Sequence, residues 1–396
     1  MAVWSSGEFR RVSATAMALA LACPPSHALV ALNDGRDRIY VTSSVSVAHD
    51  SNVFASADSA GDTVYSTTVS AEYSRRAGWI GVNGTLGLTS AKFATIDDQD
   101  FANPSLSLEF TKQSGRTTGS VTLDAARQSR ADPAVNVRTE SWNTNTELNV
   151  RYPISGAMTV AGSFGYSNLD YTGSSARVFS DLETYHASLD LFHIFTAERD
   201  LVGGYRFRHG ISSRTVSFTD HAFTVGIVGR IIRGINGSIR TGYQVRVPHT
   251  NFGDGSFGSW TTSASASYAF SKRLNVAGTV AKDFATTAVE SFVDSLSASL
   301  DFQYTYSSRW SLGLGASAGE TEFLGEAGRI VISLGPPLEL GPARQDTFVT
   351  SHATLNYTMN EHLRVSVAYN WFKNWSKASF ADFTRESYSL NLSTRW

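Results

Sequence analysis

From residue 38 to the end of the chain, apolar and polar side chains alternate at every second position. Residues 236–247 show it most clearly. Ile239, Thr241, Tyr243 and Val245 fall on one face, and Ser238, Arg240, Gly242, Gln244 and Arg246 on the other. A side-chain period of two belongs to a β-strand with one apolar and one polar face. The last nine residues repeat the pattern, with Tyr388, Leu390, Leu392, Thr394 and Trp396 set against Ser389, Asn391, Ser393 and Arg395. About eighteen such runs can be marked by this period, from 39–48 through 79–90, 139–152 and 310–318 to 387–396. Each is near the ~9–11 residues that a tilted membrane-spanning strand needs.

The connections between these runs alternate in length. Short ones, such as 113–116, 271–273 and 307–309, separate longer polar stretches such as 50–63, 91–103, 128–138, 170–183, 209–220 and 319–346. Short turns at one rim and long loops at the other describe an all-β, antiparallel up-and-down barrel of the outer membrane, with its turns periplasmic. Roughly 16–18 strands make an interior wide enough for water, and an even number returns both ends of the chain to the short-turn rim.

Face chemistry separates this from a soluble sandwich, which packs its apolar faces inward. By parity the polar face carries Arg151, Arg206, Arg208, Arg230, Arg240, Arg246, Arg364 and Arg395, with Glu72, Glu109, Asp124, Glu147, Asp190 and Asp301. A small dry core would not tolerate so many charges, whereas a wet lumen does. Two readings of this set stay open. The arginine excess could favour neutral or anionic solutes, acidic sugars among them, or opposite charges could pair across neighbouring strands and stiffen the wall. The apolar face collects aromatic residues near strand ends, including Tyr65, Trp79, Trp142, Tyr152, Trp260, Trp310 and Tyr388, where amphipathic rings favour the headgroup layer.

Composition narrows the choices. Charged residues are 17% of the chain and aromatics 12%, against about 25% charged in ordinary soluble domains. The net charge of −2 provides no basic face, so no nucleic-acid partner is expected. Residues 1–28 read as a secretory signal peptide: Arg10 and Arg11, a short apolar stretch, then Ser26 and Ala28 ahead of a cleavage point. A rival reading makes Cys23, the single cysteine, the acylated residue of a lipoprotein. Residues 29–37 would be a short lead-in and 38–396 the barrel.

Catalytic chemistry is not indicated. The sequence holds no Gly-x-Ser-x-Gly elbow and no His-Glu-x-x-His. His49, His209, His249 and His352 are scattered, and His352 has no obvious carboxylate partner. No catalytic, cofactor-binding or metal-binding residue is therefore assigned. Acidic residues in the first two long loops (Asp50, Asp58, Asp62, Asp97, Asp98, Asp100) could hold calcium or simply keep the rim solvated. The longest loop, 319–345, could fold inward, cap the mouth or stand at the surface with a small hairpin.

Two stretches resemble known proteins. Asp50-Ser51-Asn52-Val53-Phe54, following an alternating strand and followed by a polar loop and a strand that ends in Tyr73, is similar to the opening of the β-barrel porin 2 family, some of whose members accompany exopolysaccharide operons. The terminal strand, with Tyr388, Leu390, Leu392 and Trp396, resembles the signal read by the barrel-assembly machinery. The resemblance implies a porin-like channel with no enzymatic activity, for passage or export of an exopolysaccharide. Its partners would be outer-membrane lipid, lipopolysaccharide and the assembly machinery. The alternative is a closed barrel that serves as a receptor or scaffold through its long loops.

The terminal aromatic generates a test. Deleting Trp396 should reduce the membrane-inserted fraction in cells more than it changes the conductance of the molecules that do insert. Unchanged insertion, scored by heat-modifiable gel mobility, would remove its role as an assembly signal.

Overall fold

A computed structural model describes residues 30–32, 36–75, 78–213, 216–249, 255–325, 329–333 and 339–396. The expected signal peptide over 1–28, with Cys23, lies outside the described residues. Eighteen long strands close a single antiparallel sheet: β2 (Asp37–Asp50), β3 (Asp62–Arg75), β4 (Gly81–Phe93), β5 (Phe101–Lys112), β6 (Thr118–Asp132), β7 (Val137–Pro153), β8 (Met158–Tyr171), β9 (Leu182–Thr196), β10 (Arg199–Ser212), β11 (Ser217–Ile232), β12 (Ile235–His249), β13 (Phe257–Ala269), β14 (Leu274–Thr286), β15 (Phe292–Thr305), β16 (Trp310–Leu324), β19 (Gln345–Thr358), β20 (Leu363–Ser376) and β21 (Phe383–Arg395). Each pairs with its neighbours in the chain, and β21 pairs with β2 from Thr42↔Arg395 to Asp50↔Ser387 to close the ring. A short β1 (Val30–Leu32) takes the edge of β2 at Asp37–Ile39, where β21 has run out. A hairpin of β17 (Arg329–Ser333) and β18 (Glu339–Ala343) stands in the longest connection.

The strands are longer than the sequence pattern indicates, running from 12 residues in β5 to 17 in β7. The stretches 128–138 and 209–220, expected as loops, are mostly strand; only 133–136 and 213–216 connect β6 to β7 and β10 to β11. The reason is physical. Above a membrane both faces of a strand meet water or polar groups, so the alternation fades while the backbone ladder continues.

The outer face is unusually apolar for an exposed surface. Leu86, Phe164, Leu189, Phe223, Val225, Tyr243, Val367 and Leu390 are all more than half exposed there. A soluble monomer rarely shows so large an apolar surface. The inward positions carry serine, threonine, asparagine and charge, so no dry core fills the barrel.

Buried apolar packing instead sits at the long-loop rim. Tyr171, Phe179 and Ala288 form one cluster, backed by Val135 and Leu169. Val216, Phe218 and Phe292 form another, with Leu182, Phe257 and Leu324 against it. Burial first, then the nearby Asp132 and Asp181 carboxylates, pushes the Tyr171 phenol up to about 12, so it stays neutral and packs as a ring.

These clusters join connections that belong to distant strands. Phe179→Ala, which removes the ring that packs on Tyr171 at 5.3 Å, should cost about 3–5 kcal/mol of local packing. Trypsin should then cut the β8–β9 connection at Arg177 in folded barrels that resist it in the unsubstituted chain. Equal resistance of the two would show that the cluster does not hold the rim together.

Candidate functional site

The inner wall can be built up from register. On β10, β11 and β12, Arg208, Asp220 and Arg246 lie directly opposite one another, as do Arg206, Ala222 and Gln244, and then Gly204, Thr224 and Gly242. Arg246 and Asp220 form a two-pronged pair, with Nε donating to Oδ1 at 2.7 Å and Nη2 to Oδ2 at 2.8 Å. Arg208 Nε donates to the same carboxylate at 2.6 Å. Burial alone would raise the cost of these charges; two guanidiniums on one carboxylate, plus full hydrogen bonding, offset it.

Two further bridges span several strands. Arg240 on β12 reaches Asp190 on β9 at 2.8 Å, and Arg206 on β10 reaches Asp283 on β14 at 2.7 Å. On a flat sheet the three strand steps of the first and the four of the second would be about 14 and 19 Å at ~4.8 Å each, too far for two side chains. The wall must therefore curve sharply, and the charges must lie on its concave side. Glycine permits the bend. A Cβ on Gly226 or Gly242 would fall 2.1 or 1.8 Å from the carbonyl oxygens of Ile239 and Phe223 on the adjacent strand.

The remaining candidate residues fall into different settings. Arg151 and Arg240 flank the Phe192 ring, at 5.3 and 5.6 Å from its centroid. Arg230 pairs with Glu198 at 2.5 Å beside a short turn. Arg364 lines a cavity of about 400 Å³ at the short-turn rim with Glu72, His362 and Arg395. Asp301 lies 3.5 Å from His352 Nε2, a carboxylate neighbour that the sequence could not reveal, because the two meet only through β16. Arg246 has no exposed surface; it holds the wall and cannot meet a solute. Tyr388 and Leu390 are exposed on the outer face. Trp396 exchanges both backbone hydrogen bonds with Val41 and stacks on His362 at 4.5 Å.

Above the wall, the long connections interlock across the mouth. Asn136 Nδ2, between β6 and β7, donates to Ala55 O, between β2 and β3, at 2.7 Å. Arg344 Nη1, ahead of β19, donates to Ala134 O at 2.9 Å from nearly the opposite side of the ring. Ser180 N donates to Ala288 O at 3.0 Å, and Ser212 Oγ donates to Glu290. Arg246 and Arg208 anchor this layer from below, donating to Ala285 O at 2.7 Å and Phe284 O at 2.9 Å. Among the described residues, three non-glycines adopt left-handed backbone, Ala55, Asn136 and Glu290 (φ 54°, 57° and 62°). All three sit at these junctions, where strain tends to accompany function.

Three of the acidic loop residues are engaged within the chain. Asp50 accepts from Arg385, with Nη2 to Oδ2 at 2.5 Å. Asp62 accepts the amides of Thr63, Thr95 and Ile96, and Asp100 that of Phe93 at 2.7 Å. Among the described residues, no group of three or more acidic, histidine or cysteine side chains is placed to hold a metal ion. Part of the long connection 319–346 lies outside the described residues.

Comparison with known proteins finds no matching family model and no significant similarity to any curated protein. Solved structures do match. The FrpB iron transporter from Neisseria meningitidis superposes with a TM-score of 0.51 at 10% identity, over 86% of this chain and 64% of that one, so this chain spans just under two thirds of that protein. The siderophore receptor PirA from Pseudomonas aeruginosa gives 0.49 at 12% identity, over 90% and 80% of the two chains. OpdK of the same organism, solved with vanillate, gives 0.48 at 11%, over 90% and 99%. The likeness to FrpB is one of fold: a closed antiparallel barrel of the kind that outer-membrane proteins use.

The ion pairs yield a graded expectation. Asp220→Ala leaves the sealed Arg246 guanidinium without its carboxylate and should cost about 3–5 kcal/mol. Asp283→Ala, at a site 36% exposed, should cost ~1 kcal/mol or less. Urea midpoints of the refolded barrels in lipid would measure both; equal losses would contradict the placement of Asp220 at the centre of the cluster.

Proposed function

We propose that this chain is a porin-like channel of the outer membrane, and that its solute is a hydrophilic, polysaccharide-type molecule. The observation that carries the reading is the contrast between the two faces of one closed sheet. Leucine, valine and aromatic side chains point outward, suited to lipid. Serine, threonine, asparagine and bridged charges point inward, suited to a hydrated solute that exchanges water for wall hydroxyls. Passage is then a matter of diffusion or of synthesis pushing from one side. The turns would lie in the periplasm and the interlocked loops outside, against lipopolysaccharide. Assembly would use the strand that ends in Trp396.

The loops favour a second reading as well. A mouth crossed by Asn136–Ala55 and Arg344–Ala134 hydrogen bonds suits a closed barrel whose outer surface binds a partner. The two readings part in a planar bilayer. A conduit should give discrete ohmic steps, and the double variant Asn136→Ala/Arg344→Ala should raise the open level or the open fraction. A folded, inserted barrel that stays silent in both forms would favour the receptor.

A further inference from the structure

The two long bridges on the inner wall enclose a trough of about 390 Å³. Its floor is made of small residues, Gly204, Ala222, Ser263 and Ala281, and its ends are the Arg206–Asp283 and Arg240–Asp190 bridges. Arg206 is level, through Ala222, with Gln244. That is four residues along β12 from Arg240, about 13 Å at ~3.3 Å per residue. The hydroxyls of Ser188, Thr224 and Thr261 line the space between. Resting on the channel reading above, we propose that this trough is the channel's selective station and that it takes a uronic-acid unit, a sugar ring carrying one carboxylate.

Charge, hydrogen-bond type and shape converge on that class. Arg206, Arg208, Arg240 and Arg246 face Asp190, Asp220 and Asp283. Four guanidiniums against three carboxylates leave one positive charge, enough for one carboxylate on the ligand. Arg246 and Asp220 are fully enclosed, so the excess is presented by the half-exposed Arg206 and Arg240. A bare phosphate would use the donors and be repelled by Asp190 and Asp283. A polyol needs both donors and acceptors, and planar guanidinium beside carboxylate matches paired hydroxyls. The floor has almost no side-chain relief, so a flat ring can lie on it. The volume falls within the ~300–1,000 Å³ of ordinary ligand sites.

The site also has a mark of incomplete satisfaction. Gln244, 1% exposed, has an amide nitrogen without a partner, as does Arg206 at Nε. Its Oε1 accepts only a 3.4 Å contact from Arg206 Nη2. Movement of Arg206 toward a ligand carboxylate would free this row to rearrange.

Calorimetric titration of the whole refolded barrel in detergent with trigalacturonic acid, and with maltotriose as the neutral match, tests the site apart from conduction. Trigalacturonate should bind at least about tenfold more tightly than maltotriose, a gap of ~1.4 kcal/mol. Arg240→Gln and Arg206→Gln should each remove most of that gap, while Arg364→Gln, at the short-turn rim, should keep it. Heat-modifiable mobility confirms folding of each variant. Equal binding of the two sugars, no binding of either, or Arg206 and Arg240 variants that retain the preference would overturn the proposal. A barrel that binds trigalacturonate selectively but gives no bilayer conductance would leave the site standing and overturn the channel reading.

Discussion

Everything in this protein follows from one constraint: in hydrocarbon, a backbone N–H or C=O has no water to fall back on. A sheet can meet that condition only by having no edge. The pairing of β21 with β2 is therefore the decisive contact of the fold, although each of its hydrogen bonds is ordinary. It joins residues more than 330 positions apart, and its register sets which side chains face lipid on the first and last strands. Trp396 and Val41 complete the ladder at one end, and the Arg385–Asp50 pair locks it at the other.

Closure moves the usual hydrophobic core to unusual places. The apolar face points outward and the lumen is polar, so burial within the chain is left to the rim. There the connections supply their own small cores, around Phe179 and around Phe218 and Phe292. Among the described residues the largest fully buried side chain is consequently a charged one. Arg246 stacks on Phe218 at 4.0 Å and on Phe292 at 5.1 Å while it holds Asp220 and the carbonyl of Ala285. One guanidinium thus joins the ion-pair cluster to the upper ends of β11, β14 and β15. Such a residue serves stability first; the arginines that remain half exposed, Arg206 and Arg240, are the ones with surface to offer a solute.

Wall curvature and charge depend on each other. Gly226 and Gly242 let β11 and β12 approach neighbouring carbonyls more closely than any side chain allows. The resulting bend brings Asp283 within reach of Arg206 and Asp190 within reach of Arg240. The bridges then hold the bend. Between them Gly204, Ala222 and Ala281 leave open space, so small residues set both the shape of the wall and the trough in it.

Much of this was legible in the chain. Period-two alternation, as in 236–247 and 388–396, determines strands with one apolar and one polar face, and the short–long rhythm of connections determines an up-and-down barrel of about eighteen strands. Both are local properties, written within ten residues or in the spacing between runs. Strand ends were not legible at the long-loop rim, where 128–138 and 209–220 continue as strand without a one-sided environment to enforce alternation. Pairings beyond nearest neighbours were also hidden: His352 near Asp301, Arg206 on Asp283, Asn136 on Ala55. They depend on stagger, curvature and the folding of loops across the mouth, which involve residues tens to hundreds of positions apart. Parity alone places eight arginines on one face; only the closed structure decides that Arg246 is sealed, that Arg230 is tied to a turn, and that Arg206 and Arg240 bound an open trough. The sequence by itself determined a barrel and the chemistry of its two faces, because those repeat along a strand; the tertiary structure decided which charges are structural and which remain available, because that is set by distance across the ring.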